Sequence, residues 1–158
     1  MSERMLVPLD GSKVGEAALH VLENHIAKLS PELEVEVTLL GVITSLTHWV
    51  VVGEASAPIS YTEEELRMIR QRVEDYLDRV GEPLRSQGVT VNIIVSTGNA
   101  ADEIIKAASE INADLIAMST HGRSGLKRLA FGSVTDKVLR GANVPVLMVR
   151  APEGTDNV

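Results

Sequence analysis

The fold is decided by the stretch Leu115-Ile-Ala-Met-Ser-Thr-His-Gly-Arg-Ser-Gly-Leu-Lys-Arg-Leu-Ala-Phe-Gly-Ser-Val-Thr-Asp-Lys-Val-Leu139. It opens with a short apolar run that predicts a buried strand, passes through a loop with three glycines, and ends in an apolar-periodic segment that predicts a helix from Ser133. Glycines allow backbone amides to approach an oxygen closely, and the free N–H groups of a helix N-terminus carry partial positive charge. The stretch therefore predicts an anion-binding site.

In the rest of the sequence, apolar runs alternate with apolar-periodic segments in the same way. Strands are predicted at residues 5–9, 34–43, 89–96, 115–118 and 144–149, and Pro145 places the last of them at a sheet edge. One intervening helix begins at the capping box Thr62-Glu-Glu-Glu65 and another at Asn99. Residues 44–61 are predicted to be a long apolar connection that covers a ligand or another subunit. The alternation predicts an α/β fold with a five-stranded parallel sheet, doubly wound, in strand order 3-2-1-4-5.

Length and composition predict one domain over residues 1–150 and a C-terminal tail at 151–158. The chain has 158 residues, of which only four are aromatic, so the core must be aliphatic, as in a parallel sheet. It has no cysteine, which excludes disulfides and thiolate metal sites.

The charge balance excludes some classes of partner. A net charge of −7 argues against nucleic acid as the principal partner, because such binders present a basic surface. No apolar run reaches the length of a membrane span, and the N-terminus lacks a signal-peptide pattern. We therefore expect a cytoplasmic protein that binds neither nucleic acid nor a membrane.

Candidate site residues follow three of the predicted strands. Asp10 ends the first strand, Val42 lies at the end of the second, and Ser119 to Gly122 follow the fourth. In open α/β sheets, ligands bind beyond the carboxyl ends of the strands, where the strand order reverses. With the order 3-2-1-4-5 the first and fourth strands are neighbours there, so these residues should converge on one crevice.

The glycine loop also carries a family signature. Ser119-Thr-His-Gly122, nine further residues and Gly132-Ser133 follow the register Gly-x2-Gly-x9-Gly-Ser/Thr, with Ser119 as the one departure from glycine. Val-Pro-Leu-Asp-Gly-Ser closes the first strand and Gly-Val-Ile the second. In this combination the chain resembles the universal stress protein family along nearly its whole length, and the signature is that of the family's nucleotide-binding members.

The resemblance implies a universal-stress-type nucleotide-binding domain with an adenine nucleotide alpha hydrolase-like fold, which holds ATP, with Mg²⁺, in the crevice. It implies that Asp10 and the backbone of Val42 lie near the adenine, and that glycine-loop residues surround the ribose and phosphates. The residues implied in nucleotide binding are Pro8, Leu9, Asp10, Val42, Met118, Ser119, His121, Gly122, Arg123, Gly125, Gly132, Ser133 and Val134.

Structural roles remain open for several of these residues. Asp10 could cap the first helix or fix a turn, and Ser133 with Asp136 could form a helix cap. Gly125 could serve loop flexibility alone, and His121 could be loop scaffold rather than a phosphate contact.

The predicted function is an ATP-binding, nucleotide-dependent switch in a stress response, acting as a homodimer through the fifth strand on an unknown protein partner. One alternative is weak ATP hydrolysis, for which the loop from Thr120 to Thr135 offers neither Asp nor Glu as a general base. The other is a nucleotide-free dimerisation or scaffold module, which Ser119 favours. Neither catalytic residues nor metal ligands are predicted.

Overall fold

The computed structural model describes residues 2–29, 32–120 and 132–152. The elements alternate along the chain, except for one hairpin between the second strand and the second helix. In order they are β1 (Ser2–Pro8), α1 (Glu16–Ile26), β2 (Glu34–Ile43), β3 (Thr47–Val52), β4 (Ala55–Ser60), α2 (Glu63–Ser86), β5 (Thr90–Thr97), α3 (Ala100–Glu110), β6 (Leu115–Thr120), α4 (Ser133–Gly141) and β7 (Val146–Arg150).

The main sheet has five parallel strands in the order β5-β2-β1-β6-β7. Counted along the chain without the hairpin, this is the order 3-2-1-4-5, so the predicted fold class and strand order are confirmed. β7, which follows Pro145, lies at one edge of the sheet as predicted. β1 pairs with β2 on one side and with β6 on the other, so the order reverses between β1 and β6.

Two aliphatic layers hold the helices against the sheet. Leu19 of α1 and Leu77 of α2 pack on one face, with Val7 and Leu39 from the strands. Ile104 of α3 and Val138 of α4 belong to the core layer that holds Leu6 and Leu40. Neighbouring strand residues thus alternate between the layers, which makes the sheet doubly wound and fully covered, as expected for parallel strands.

The predicted helix starts of α2 and α3 are confirmed. Thr62 accepts a hydrogen bond from the Glu65 N–H at 3.2 Å while the Glu65 carboxylate accepts one from the Thr62 N–H at 2.7 Å. These hydrogen bonds stabilise the ionised carboxylate and lower the pKa of Glu65. Asn99 caps α3 by accepting from the Asp102 N–H at 3.2 Å.

The prediction of one long connection at residues 44–61 was incomplete, because this segment folds into a β-hairpin. β3 and β4 form a two-stranded antiparallel sheet of their own. The turn between them uses Gly53 with φ +65°, a conformation that glycine adopts without a side-chain clash. At the base of the hairpin the Tyr61 N–H donates to the Leu46 carbonyl at 3.0 Å. The hairpin exposes apolar side chains, with Val51 and Val52 about 70% accessible to solvent.

Candidate functional site

The carboxyl ends of β1, β2 and β6 bring the described candidate residues to one edge of the sheet. Asp10 follows β1 by two residues, Val42 is the penultimate residue of β2, and Ser119 is the penultimate residue of β6. Because β1 and β6 are parallel, α1, which follows β1, and α4, which follows β6, both start at this same edge. Two helix N-termini therefore lie at the edge where the crevice is predicted.

Asp10 is exposed and organises the turn after β1. Its Oδ1 accepts hydrogen bonds from the Ser12 N–H at 2.9 Å and from the Ser12 hydroxyl at 2.6 Å. The turn-forming role of Asp10 is thus confirmed, whereas the N-cap of α1 is Gly15. Both bonds fall on one carboxylate oxygen, so the turn leaves Oδ2 available for a ligand.

Ser119 directs its hydroxyl away from the strand and into the start of α1. Its Oγ accepts a hydrogen bond from the Ala18 N–H at 2.7 Å and donates one to the Gly15 carbonyl at 3.0 Å. The side chain is half-buried, and both polar functions of the hydroxyl are satisfied by backbone groups. A serine at this position of the signature is therefore accommodated by α1.

The start of α4 carries no side-chain cap. Gly132 is the N-cap residue, with φ −61° and ψ 162°, and the Asp136 N–H donates to its carbonyl at 3.0 Å. The alternative in which Ser133 caps the helix is wrong, because Ser133 is the first helical residue and no side-chain oxygen of the described chain caps α4. The amides of Ser133, Val134 and Thr135 precede the first intrahelical hydrogen bond and keep their partial positive charge.

Four apolar or small candidates line the strand ends. Leu9 and Met118 are buried, and they belong to the core layers on opposite faces of the sheet. Pro8 and Val42 are half-buried, and the Leu9 N–H donates to the Leu40 carbonyl at 2.9 Å. These contacts fix the backbone of the β1 end against β2. The remaining candidates, His121, Gly122, Arg123 and Gly125, lie outside the described residues.

A buried carboxylate beside the turn was not among the residues predicted from the sequence. Glu16, in the first turn of α1, is 6% exposed and accepts hydrogen bonds from the Tyr76 hydroxyl and the Lys13 ammonium, both at 3.1 Å. Burial and the neighbouring Glu16 charge raise the pKa of Tyr76 above its ordinary value. This link ties α2 to the start of α1. The only sequence signal for this link is that the helical pattern of apolar residues places the Glu16 carboxylate on the inward face of α1.

An open cleft of about 350 Å³ lies between the base of the hairpin and the ends of β2 and β5. Its lining residues are Ile43, Leu46, Leu66, Arg67, Arg70 and Thr97. None of the candidates that the structure describes is among these lining residues.

Comparison with known proteins decides the family. A model of the universal stress protein family matches residues 1–150. The chain belongs to the universal stress protein family. Universal stress protein MJ0531 of Methanocaldococcus jannaschii is 32% identical over 152 residues, which cover 96% of this chain and 84% of the relative.

Solved structures share the fold of this universal stress protein. The structure of MJ0577 from M. jannaschii matches with a TM-score of 0.68 at 25% identity, and the match covers 96% of this chain and 98% of that one. A universal stress protein from Arabidopsis thaliana, solved with AMP bound, matches with a TM-score of 0.63, covering 99% of both chains. At 18% identity, this second likeness shows the fold alone.

Residues 2–29, 32–120 and 132–152 lack two features that would indicate other functions. No helix in these ranges is both long and apolar enough to cross a membrane. Nor do they contain a group of three His, Cys, Asp or Glu side chains that could hold a metal ion.

Proposed function

We propose that this universal stress protein binds ATP in the crevice between β1 and β6 and acts as a nucleotide-dependent switch in a stress response. The observation that carries the proposal is the N-terminus of α4 at this edge of the sheet, which no side chain in residues 2–29, 32–120 and 132–152 caps. Free amides at a helix N-terminus favour an anion such as a phosphate group. The proposed role is that bound ATP changes the surface contacted by a protein partner.

The described residues leave room for a phosphate group at the start of α4. Apart from the chain neighbours of Gly132, none of their atoms lies within 4 Å of the point where a side chain at Gly132 would begin. The backbone of Gly132 is extended, and a ligand oxygen bound there would meet the amides of Ser133 and Val134. Of the glycine-loop candidates, Gly132, Ser133 and Val134 are therefore the ones for which described geometry supports phosphate binding.

The adenine side of the proposed site is the β1–β2 edge. Oδ2 of Asp10 can accept a hydrogen bond from an exocyclic amine, and the Val42 backbone lies one strand away. The half-buried Pro8 supplies apolar surface, the buried Leu9 and Met118 are proposed to form the floor of the site, and Ser119 keeps its hydroxyl on α1. His121, Gly122, Arg123 and Gly125 complete the proposed binding set. That an Arabidopsis protein of this fold holds AMP supports the choice of an adenine nucleotide.

Mg²⁺ is proposed as a partner of the nucleotide rather than of the protein. The described residues lack a three-ligand cluster, and Mg²⁺ is commonly held by substrate phosphates and water with few protein ligands. Chelation of Mg²⁺ is therefore expected to weaken ATP binding without destabilising the ligand-free protein.

The test is a calorimetric titration of the full chain with ATP, with Mg²⁺ or with EDTA, beside chromatography of nucleotide released from the denatured protein. Gly132→Val is expected to weaken ATP binding at least about tenfold, because loss of one hydrogen bond to a charged group costs roughly 1.5–3 kcal/mol. The ATP affinity of Gly132→Ala, which has a smaller side chain, is expected to lie between those of the wild type and Gly132→Val.

A matched control removes a helix cap elsewhere. Asn99→Ala weakens the start of α3, which follows β5, two strands from β1, and is expected to leave ATP affinity unchanged. Unchanged affinity in Gly132→Val would reject the phosphate placement. Absence of binding heat, of co-purified nucleotide and of a thermal shift with ATP would reject the function.

We also propose that the protein is a cytoplasmic homodimer paired through β7. β7 is an edge strand with half-buried apolar residues from Val146 to Met148, and exposed strand edges pair readily. Light scattering at several protein concentrations measures the oligomeric state, and a monomer throughout would reject the pairing.

A further inference from the structure

A continuous chain of hydrogen bonds joins the end of β6 to the carboxylate of Asp10. The Ser119 hydroxyl donates to the Gly15 carbonyl at 3.0 Å, and the Gly15 N–H donates to the Ser12 hydroxyl oxygen at 3.0 Å. The Ser12 hydroxyl in turn donates to Asp10 Oδ1 at 2.6 Å, and the Ser12 N–H donates to the same oxygen at 2.9 Å. Residues from the two sides of the crevice are thus linked through the start of α1.

We propose that Ser119 is a positioning residue, which holds the Asp10 carboxylate in place for the nucleotide through Gly15 and Ser12. The part of this inference that concerns affinity rests on the proposed nucleotide function. The link itself is a property of the ligand-free protein and is testable without nucleotide.

Ser119 performs for α1 the role that an N-cap side chain ordinarily performs. The N-cap residue of α1 is Gly15, which has no side chain. The first two helical amides, of Glu16 and Ala17, donate to backbone carbonyls at 3.3 and 3.1 Å. The Ala18 amide, at the third helical position, is the one that an N-cap side chain ordinarily serves. Ser119 accepts from this amide at 2.7 Å, although it lies 101 residues further along the chain. Removal of the hydroxyl leaves this N–H and the Gly15 carbonyl without their partner.

The chain of bonds is tightly packed at its centre. A Cβ atom at Gly15 would lie 2.8 Å from Asp10 Oδ1 and 3.3 Å from Ser12 Oγ. No side chain fits between Gly15 and the Asp10 carboxylate without a shift, and Ser12 connects the two through hydrogen bonds. The family signature has glycine where this chain has Ser119, so the hydroxyl link is an addition relative to that signature.

The first experiment measures backbone amide hydrogen exchange by NMR in the ligand-free protein. In Ser119→Ala, the amides of Ala18, Gly15 and Ser12 are expected to exchange together, about tenfold faster than in the wild type, because each depends on a hydrogen bond in the chain. Ser119→Thr retains the hydroxyl and is expected to restore slow exchange. Faster exchange of Ala18 alone, or of no amide, would reduce Ser119 to a local cap and overturn the proposal.

Ser96→Ala is the matched control for hydroxyl deletion. Ser96 lies near the end of β5, and its buried Oγ has no hydrogen-bond partner among the described residues. Its replacement is expected to leave the three amide exchange rates unchanged.

The second experiment is a double-mutant cycle on ATP affinity. Ser119→Ala is expected to weaken ATP binding several-fold in the wild-type background and to have no further effect in Asp10→Ala, since Ser119 acts through Asp10. If Ser119→Ala weakens ATP binding equally in the wild-type and Asp10→Ala backgrounds, Ser119 does not act through Asp10, and the proposed positioning role is overturned. If the wild type binds no ATP, the proposed function fails, while the exchange rates still decide whether the link exists.

Discussion

Replacement of Gly15 by alanine should expose how firmly the Asp10 carboxylate is held. Gly15 is helical, with φ −57° and ψ −36°, so alanine fits its backbone, and reduced freedom of the unfolded chain would stabilise by about 0.4–1 kcal/mol. The added Cβ, however, meets Asp10 Oδ1 at 2.8 Å. Overpacking of this kind costs about 1–3 kcal/mol. The net expectation is a loss of roughly 1–2 kcal/mol in the free energy of unfolding, where these two effects oppose each other.

The assay is urea denaturation in two backgrounds. With a urea dependence of about 2 kcal/mol per molar, the loss appears as a midpoint lowered by roughly 0.5–1 M. In Asp10→Ala the obstructing oxygen is gone, so Gly15→Ala should become neutral or stabilising by up to about 1 kcal/mol. Equal destabilisation in both backgrounds would refute the reasoning, because the cost would then not come from the carboxylate.

Three further predictions concern α2 and its contacts. Thr62→Ala removes the cap oxygen that accepts from the Glu65 N–H and should lower the free energy of unfolding by about 1 kcal/mol in urea denaturation. Because the hydrogen bonds with Thr62 lower the pKa of Glu65 in the folded protein, the stabilisation from its carboxylate is present above the ordinary carboxyl pKa and is lost as the pH falls through the lowered pKa. In Glu65→Gln, the free energy of unfolding should lack this part of its dependence on pH. A pH profile identical to that of the wild type would contradict the prediction. Gly41→Ala places a Cβ against Val73 Cγ1, closer than van der Waals contact allows, and should lower the free energy of unfolding by about 1–3 kcal/mol. Val73→Ala should partly restore the stability, and no rescue would argue against this contact as the cause.

The sheet order could be predicted from the sequence because each apolar run is separated from the next by a helix-periodic segment. The hairpin could not, since β4 reads Ala-Ser-Ala-Pro-Ile-Ser, with small residues and Pro58 in place of the β-branched pattern of β3. Its strand character depends on pairing with β3 across the Gly53 turn.

The candidate site was predictable only in part. Asp10, Val42 and Ser119 reach the same edge because parallel strands share a polarity, which follows from the topology alone. The role of the Ser119 hydroxyl does not follow from it, because its partners are 101 and 104 residues away in sequence. At α4 the predicted helix start at Ser133 is confirmed, whereas the alternative in which Ser133 caps the helix is wrong, because the N-cap residue is Gly132.

The β3–β4 hairpin has a consequence for divergence within this architecture. Its base is closed by the Tyr61 to Leu46 hydrogen bond, so the chain leaves and rejoins the body of the protein at nearly one point. Insertions in the hairpin, deletions from it or its replacement by another segment therefore need not shift the register of any strand in the five-stranded sheet. Paralogues can therefore differ in the length and sequence of this hairpin while they keep the same five-stranded sheet.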